Sequence, residues 1–282
     1  MNKILIRLRR EKKTDLLLRA LTWLFAALTF AVLLFLIGHV LVRGIPYIKP
    51  SLFELQYNSQ NVSLFPALVT TVLVVLLSLL IAVPLGVFAA IYLVEYARRG
   101  SRFVKLVRMM TETLAGIPSI IYGIFGSIFF VVWLGWGKSL LAGSCTLAIM
   151  ILPLIMRSTE ESLKSVSDSY REGAFGLGAG RLRTVFRIVL PAAGPGILAG
   201  VILSVGRIVG ETAALIYTLG NSPVMTDGFF ASGRTLSLHM YSLAGESLYT
   251  GQAYATTVIL LLVVIGINAL SGLLAKKITK RT

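Results

Sequence analysis

Six long apolar runs punctuate the chain, and short polar, mostly basic segments separate them. The runs occupy residues 20–42, 64–94, 114–134, 139–156, about 194–219 and 253–274. A helix needs roughly 20 apolar residues to cross about 30 Å of hydrocarbon, so each run reads as a membrane-spanning helix. Run 64–94 carries no charge, and run 139–156 is the shortest. His39 is the only ionisable side chain of the first run, whereas the fifth contains Arg207 and Glu211. Pro84 and Pro153 fall inside spans, which is tolerated where neighbouring helices or water satisfy the freed backbone groups. The first run has the basic start of a secretory signal, but its apolar stretch is too long and no small-residue cleavage site follows. It is expected to be retained as an orienting helix.

Composition agrees with a membrane class and removes several others. Of 282 residues 56% are hydrophobic and 14% charged, and the mean hydropathy is +0.84. A disordered chain, a disulfide-stapled module and nearly every cytosolic enzyme are excluded by such values. The net charge of +15 would ordinarily raise nucleic acid as a partner. The placement of the cations points elsewhere. Of 27 Lys and Arg residues, 22 lie in the N-terminal segment, the segments after the second and fourth runs, and the C-terminus. Four lie in the alternate segments, and Arg207 lies within a span. The positive-inside rule therefore places both termini in the cytoplasm and explains the charge without nucleic acid. Cys145 stands alone, and His39 and His239 are far apart, so neither a disulfide nor a metal cluster is expected.

Three local patterns resemble motifs without completing them. Gly137-Lys138-Ser139 resembles the end of a phosphate-binding loop, but Val132 occupies the place of its first glycine. Asn61-Val62-Ser63 fits a glycosylation acceptor, with nothing else pointing to a secretory pathway. Gly196…Gly200 and Gly206…Gly210 are small-residue pairs that let helices approach closely. No nucleophile–base set, H-E-x-x-H motif or carboxylate cluster is present, so no catalysis by this chain is expected.

Two constellations carry information. In the long cytoplasmic segment 157–190, Ser169 followed by Glu172 has the spacing of a capping box. The spacing predicts a short helix from about Tyr170 to Leu177, stopped by Gly178 and Gly180. A second basic stretch, 181–189, meets Pro191 at the membrane. A short capped helix between two spans suits docking against another protein; a solvated connector is the plainer alternative. Within the fifth run, Arg207 and Glu211 are four apart, which on one continuous helix puts both on one face. A buried charge costs about 2.5–3.5 kcal/mol at mid-membrane on insertion scales, so such residues are functional candidates. The planar guanidinium binds oxyanions bidentately. Glu211 would hold Arg207 and moderate its potential, and Thr212 would add a hydroxyl. A self-neutralising ion pair is the alternative.

Glu172-Gly173-Ala174, Gly178 and Ile188-Val189-Leu190-Pro191 reproduce the spacing E-A-A-x3-G-x9-I-x-L-P, which resembles the signature loop of permease subunits of binding-protein-dependent ABC importers. Gly173 replaces the family's usual alanine. Three further stretches resemble the phosphate-importer permeases of the PstA type. They are Gly206–Leu215, with Arg207, Gly210-Glu211-Thr212 and Ala213-Ala214-Leu215; Gly116–Gly123, with Ile117-Pro118-Ser119; and Arg234–Tyr241, with Thr235-Leu236-Ser237 and His239. The resemblance implies an all-α integral membrane protein with six transmembrane helices, both termini inside, and the type I ABC importer permease fold. Residues 1–62 would precede a permease core, 63–282, that carries the coupling loop 157–190. It implies coupling to an ATPase through Glu172, Gly173, Ala174 and Gly178, and substrate translocation past Arg207, Glu211 and Thr212. The implied partners are a PstC-type permease, a PstB-type ATPase dimer and a PstS-type phosphate-binding protein outside, in the cell membrane of a prokaryote. This chain would bind no cofactor, since ATP and magnesium belong to the ATPase. The outer loop, about 217–252, would dock the binding protein or form a gate. A permease for another oxyanion, molybdate or sulfate, would share the coupling loop. A gradient-driven transporter would be expected to show inverted repeats, and none is apparent.

Overall fold

A backbone immersed in hydrocarbon has to satisfy its own polar groups, and the chain does so with helices throughout. The computed structural model describes residues 2–279 apart from residue 99, and among the described residues no strand occurs. Eleven α-helical elements follow in order: α1 (Asn2–Gly44), α2 (Phe65–Ile91), α3 (Arg102–Ala115), α4 (Ser119–Gly126), α5 (Leu140–Ser165), α6 (Asp168–Gly176), α7 (Arg181–Thr184), α8 (Leu190–Val209), α9 (Ala213–Thr218), α10 (Leu236–Gly245) and α11 (Thr250–Thr279). Single π-helical turns extend α2 to Tyr96 and α4 to Trp133, and another joins α7 to α8. Among the described residues five helices are long and apolar enough to span a membrane, and α3 with α4, bent by 101°, makes a sixth if the pair is one span.

α5 lies at the centre, packed along α2 on one side and α8 on the other. Val74 and Ala82 of α2, Leu147 and Ile151 of α5, Ile208 of α8 and Leu215 of α9 share one buried cluster. Close approach is possible because small residues face larger neighbours. Gly196 and Gly200 of α8 lie directly against Ser162 and Ser158 of α5, so this small-residue pair is a packing device. The second pair, at Gly206 and Gly210, makes no such contact, because α8 ends there. Ser78 of α2 donates to the Ser144 carbonyl of α5 at 3.0 Å, fixing register between the two. α1 packs on α11, and its apolar stretch buries nothing else, as expected of a helix facing lipid.

Two expected spans are not straight. The run 114–134 is broken at residues 116–118, with α3 leaving at a right angle and α4 beginning at Ser119. Pro118 has no N–H to donate and its ring disfavours helix at Ile117, so an otherwise apolar run turns there. The run 194–219 likewise ends as helix at Val209, and α9 restarts at Ala213. Other boundaries move outward: α5 continues to Ser165, and the basic stretch 181–189 is helical and runs directly into α8.

The two short helices α4 and α9 meet at Gly123, where a Cβ would lie 2.7 Å from the Ala214 Cα. Gly123→Val therefore forces the helices apart. Overpacking of this kind costs about 1–3 kcal/mol, and the purified protein is expected to melt several degrees lower, as followed by tryptophan fluorescence; an unchanged melting temperature would show that the contact is loose.

Candidate functional site

Between α5 and α8 the chain builds a short helix tied to the spans by one side chain. Ser167, not Ser169, is its N-cap: the Ser167 hydroxyl accepts from the Ser169 N–H at 3.4 Å and meets the Ser169 hydroxyl at 2.9 Å. The expected capping box does not form: α5 ends in an extended Val166 and the helix starts at once with Asp168, which puts Tyr170, not Glu172, at the third helical position. Asp168 in the first turn complements the helix dipole. At the other end the Gly178 N–H reaches the Phe175 carbonyl at 2.9 Å and the Ala179 N–H reaches Ala174 at 3.0 Å. These bonds form a Schellman motif, and its left-handed residue is Gly178, with φ of +79°.

The coupling candidates divide by exposure. Ala174 is buried, while Glu172, Gly173 and Gly178 are exposed together with Tyr170 and Leu177. A Cβ at Gly173 would meet nothing within 4 Å.

The anchor is Arg171, which sequence reasoning counted only among the basic residues of its segment. Its Nε and Nη2 reach the Glu95 carboxylate at 3.1 and 2.7 Å. Nη1 donates to the Val166 carbonyl at 2.8 Å and to Asp168 at 3.1 Å, and Nη2 also donates to the Leu163 carbonyl at 2.9 Å. All five guanidinium N–H donors are engaged. The bond to Glu95 raises the Arg171 pKa, so the cation is permanent. Both side chains are nearly buried, at 14% and 8% exposure, and removing one partner of such a pair costs on the order of 3–5 kcal/mol. Arg181 adds a cation–π contact over the Tyr96 ring, 5.2 Å from its centroid. The helix is therefore held to the end of α2 by charge and to the end of α5 by backbone.

The second constellation differs from expectation. Glu211 is not on the helix that carries Arg207. α8 stops at Val209, residues 210–212 form a break, and the Glu211 Oε1 accepts from the Ala214 N–H at 3.1 Å, capping α9. Among the described residues Arg207 has no carboxylate within 4 Å, so the pair expected from their spacing does not form in this structure. The physical reason is that an interrupted helix needs its free N–H groups capped, and the nearest carboxylate does this. Ser237 at the start of α10 donates to the Glu211 carbonyl at 2.6 Å, tying the break to α10. Thr212 is the N-cap residue of α9 and its hydroxyl makes no cap bond. Arg207 is exposed, and with Met150, Pro153 and Ala115 it lines one part of a groove of about 240 Å³ between α3 and α5.

The segment after α9 is packed, not free. Arg234, Thr235, Leu236, Ser237, Leu238 and His239 are all buried, and Tyr241 is exposed. The Thr71 hydroxyl of α2 accepts from the Leu236 N–H at 2.9 Å. Arg234 sits over the Tyr57 ring at 5.5 Å, and its Nη1 lies 3.2 Å from His239 Nδ1, which sets that nitrogen as the acceptor. Burial first, and the Arg234 charge second, lower the His239 pKa to about 4.

With this geometry in place, residues 82–280 match the family described as "binding-protein-dependent transport system inner membrane component". The chain belongs to that family, the membrane-embedded permease components of importers. The PstA phosphate transport system permease protein of Mycobacterium leprae is 38% identical over 192 residues, which are 67% of this chain and 62% of that protein. The chain thus matches somewhat under two thirds of that relative's length. The probable ABC transporter permease YqgI of Bacillus subtilis is 32% identical over 74% of this chain and 72% of its own. A chain of a crystallised bacterial ABC transporter involved in importing the acidic polysaccharide alginate superposes with a TM-score of 0.68 at 18% identity, covering 97% of this chain and 99% of that one. The likeness establishes the all-helical permease fold of type I ABC importers.

Two outcomes follow from the site. Gly173→Ala should stabilise α6 by up to about 1 kcal/mol, visible as several-fold slower hydrogen exchange of its amides; unchanged exchange would mean that the helix opens only with the whole protein. For His239, the folded value of about 4 lies below the ordinary 6.5, so the unfolded chain takes up the proton first as pH falls. Stability present above pH 6.5 is then lost towards pH 4, by about 3 kcal/mol. His239→Asn, which keeps an acceptor near Nδ1, should flatten the fall in melting temperature over that window, and parallel curves would contradict the burial of a neutral imidazole.

Proposed function

We propose that this chain is one transmembrane permease subunit of an ATP-driven phosphate importer, forming half of the anion path and coupling it to a separate ATPase. The observation that carries the reading is Arg207, a guanidinium within a span that faces an open groove and has no carboxylate partner. An unneutralised cation at that depth is costly unless a diffusible anion meets it, and an Arg fork suits a tetrahedral oxyanion. The name of the M. leprae relative supports phosphate as that anion. Thr212 and Glu211 sit at the helix break three to five residues further on, where movement of α9 against α8 would alter access to Arg207.

In this reading Glu172, Gly173 and Gly178 form the surface that meets a PstB-type ATPase dimer, buried Ala174 seats the helix beneath it, and ATP and magnesium are bound by the ATPase and not by this chain. A PstC-type permease completes the path, and a PstS-type phosphate-binding protein delivers the anion from outside. Both termini lie in the cytoplasm, as the distribution of Lys and Arg supports. Residues 1–62 then form a peripheral anchor and 63–282 the permease core.

The test is ATP hydrolysis and anion uptake by the complex reconstituted in liposomes, with binding protein supplied with phosphate, sulfate or molybdate. Phosphate alone is expected to stimulate hydrolysis. Arg207→Gln should lower uptake by about 100-fold, the equivalent of roughly 2.7 kcal/mol, at unchanged yield of complex, and Glu172→Lys should release the ATPase on purification. Stimulation by another oxyanion would transfer the specificity, and loss of the whole complex on Arg207→Gln would make that residue structural.

A further inference from the structure

We infer that the groove leading away from Arg207 is the inner half of the anion's route, with Arg157, Arg108 and Lys164 as successive, exchangeable oxyanion contacts. This rests on the reading of the chain as an oxyanion-importer permease. Arg207 and Lys164 line the same groove, bounded by α3, α5 and the end of α8. On α5, Met150, Leu154, Arg157, Glu161 and Lys164 recur at spacings of four and three, so one face of that helix forms a wall. At 1.5 Å per residue the wall runs about 21 Å, from the level of Arg207 to the end of α5.

Charge along the groove is graded. Four cations line it against three carboxylates, Glu112, Glu160 and Glu161. Arg207 has no carboxylate partner. Arg157 meets Glu161 at 3.0 Å, with both side chains about two-thirds exposed. Arg108 and Lys164 converge on a single oxygen of Glu160, each at 2.6 Å, and are themselves 41% and 50% exposed. Two cations on one carboxylate leave one positive charge uncompensated. The exposed Arg157–Glu161 pair contributes little to stability, so an arriving oxyanion can displace the Glu161 carboxylate at small cost, whereas Glu160, only 10% exposed, stays in place and leaves the excess charge of Arg108 and Lys164 to the anion. The returning carboxylate then releases the anion onward, which prevents a basic groove from becoming a trap. A run of unpaired arginines would bind phosphate too tightly to pass it, and a neutral groove would give it no reason to leave Arg207.

The experiment compares Arg157→Gln with Lys164→Gln, as a double variant, and Arg157→Lys with Lys164→Arg, which preserves charge, in the full complex in liposomes. Phosphate uptake, phosphate-stimulated ATP hydrolysis and the amount of assembled complex are measured together. Expected is a fall of about tenfold in uptake for the neutral pair with stimulated hydrolysis retained, and recovery to within about twofold in the charge-preserving pair. Uptake equal to the wild type in the neutral pair would overturn the inference, as would equal loss in both pairs, which would make the residues a brace between α3 and α5. Should the neutral pair fail to assemble, Arg157→Gln alone carries the same test, since its partner Glu161 is largely exposed. A wild-type complex that phosphate does not stimulate would overturn the underlying importer reading, and that result is distinct from any difference between variants.

Discussion

Arg171 and Glu95 are 76 residues apart in the chain and 2.7 Å apart in space, and the mechanical coherence of the end of the bundle that carries α6 depends on them. α6 is only nine residues long, too short to persist in water by its own propensity. Its start is capped by one weak serine bond and its end by a glycine turn. What makes it a rigid projection is the guanidinium, whose five donors join α6 to the end of α2 and to the last turn of α5. A push on the exposed face of α6 is therefore delivered to two spans at once. One of these, α5, is the central helix against which α2 and α8 both pack.

The bilayer imposes the complementary constraint on the membrane end. Both interrupted segments, 116–118 and 210–212, leave helix termini where water is scarce, and each is repaired locally. The Tyr122 hydroxyl donates to the Leu114 carbonyl at 2.7 Å across the first break. Glu211 and Ser237 close the second. α4 and α9, the two halves that follow the breaks, pack on each other through Gly123. A consequence is that Arg207, one turn before a break, is left without its sequence neighbour Glu211 and faces the groove. Capping of α9 and an available arginine are thus two results of one carboxylate's choice of partner.

Much of this was legible from the chain. Continuous hydrophobicity located the five helices that are long and apolar enough to span, because the bilayer leaves few other ways to accommodate such runs. Gly178 could be assigned as a helix stop, since a left-handed residue there is a local requirement. The direction change at Pro118 was hidden because hydropathy is blind to bending, although Gly116 and Pro118 carry the signal. Arg207 and Glu211 were placed on one face by assuming an unbroken helix, and Gly210 alone did not betray the break. The Arg171–Glu95 pair was out of reach, since no local pattern links residues that distant; an acid placed immediately after a 31-residue uncharged run was its only trace. The burial of Arg234 and His239 was likewise invisible, because a loop between spans reads as polar and exposed until Leu236 and Leu238 are seen inserted beside α2 and α11.

Whether α6 transmits force through Arg171 is answered most directly by the number of phosphate ions taken up per ATP hydrolysed in reconstituted complexes. Arg171→Leu removes the guanidinium and leaves Glu172, the proposed ATPase contact, in place. Expected is a complex that still hydrolyses ATP but moves several-fold less phosphate per ATP, with partial recovery when Arg171→Glu is combined with Glu95→Arg. A wild-type ratio in an assembled Arg171→Leu complex would contradict the rigid connection and leave α6 as a docking surface only.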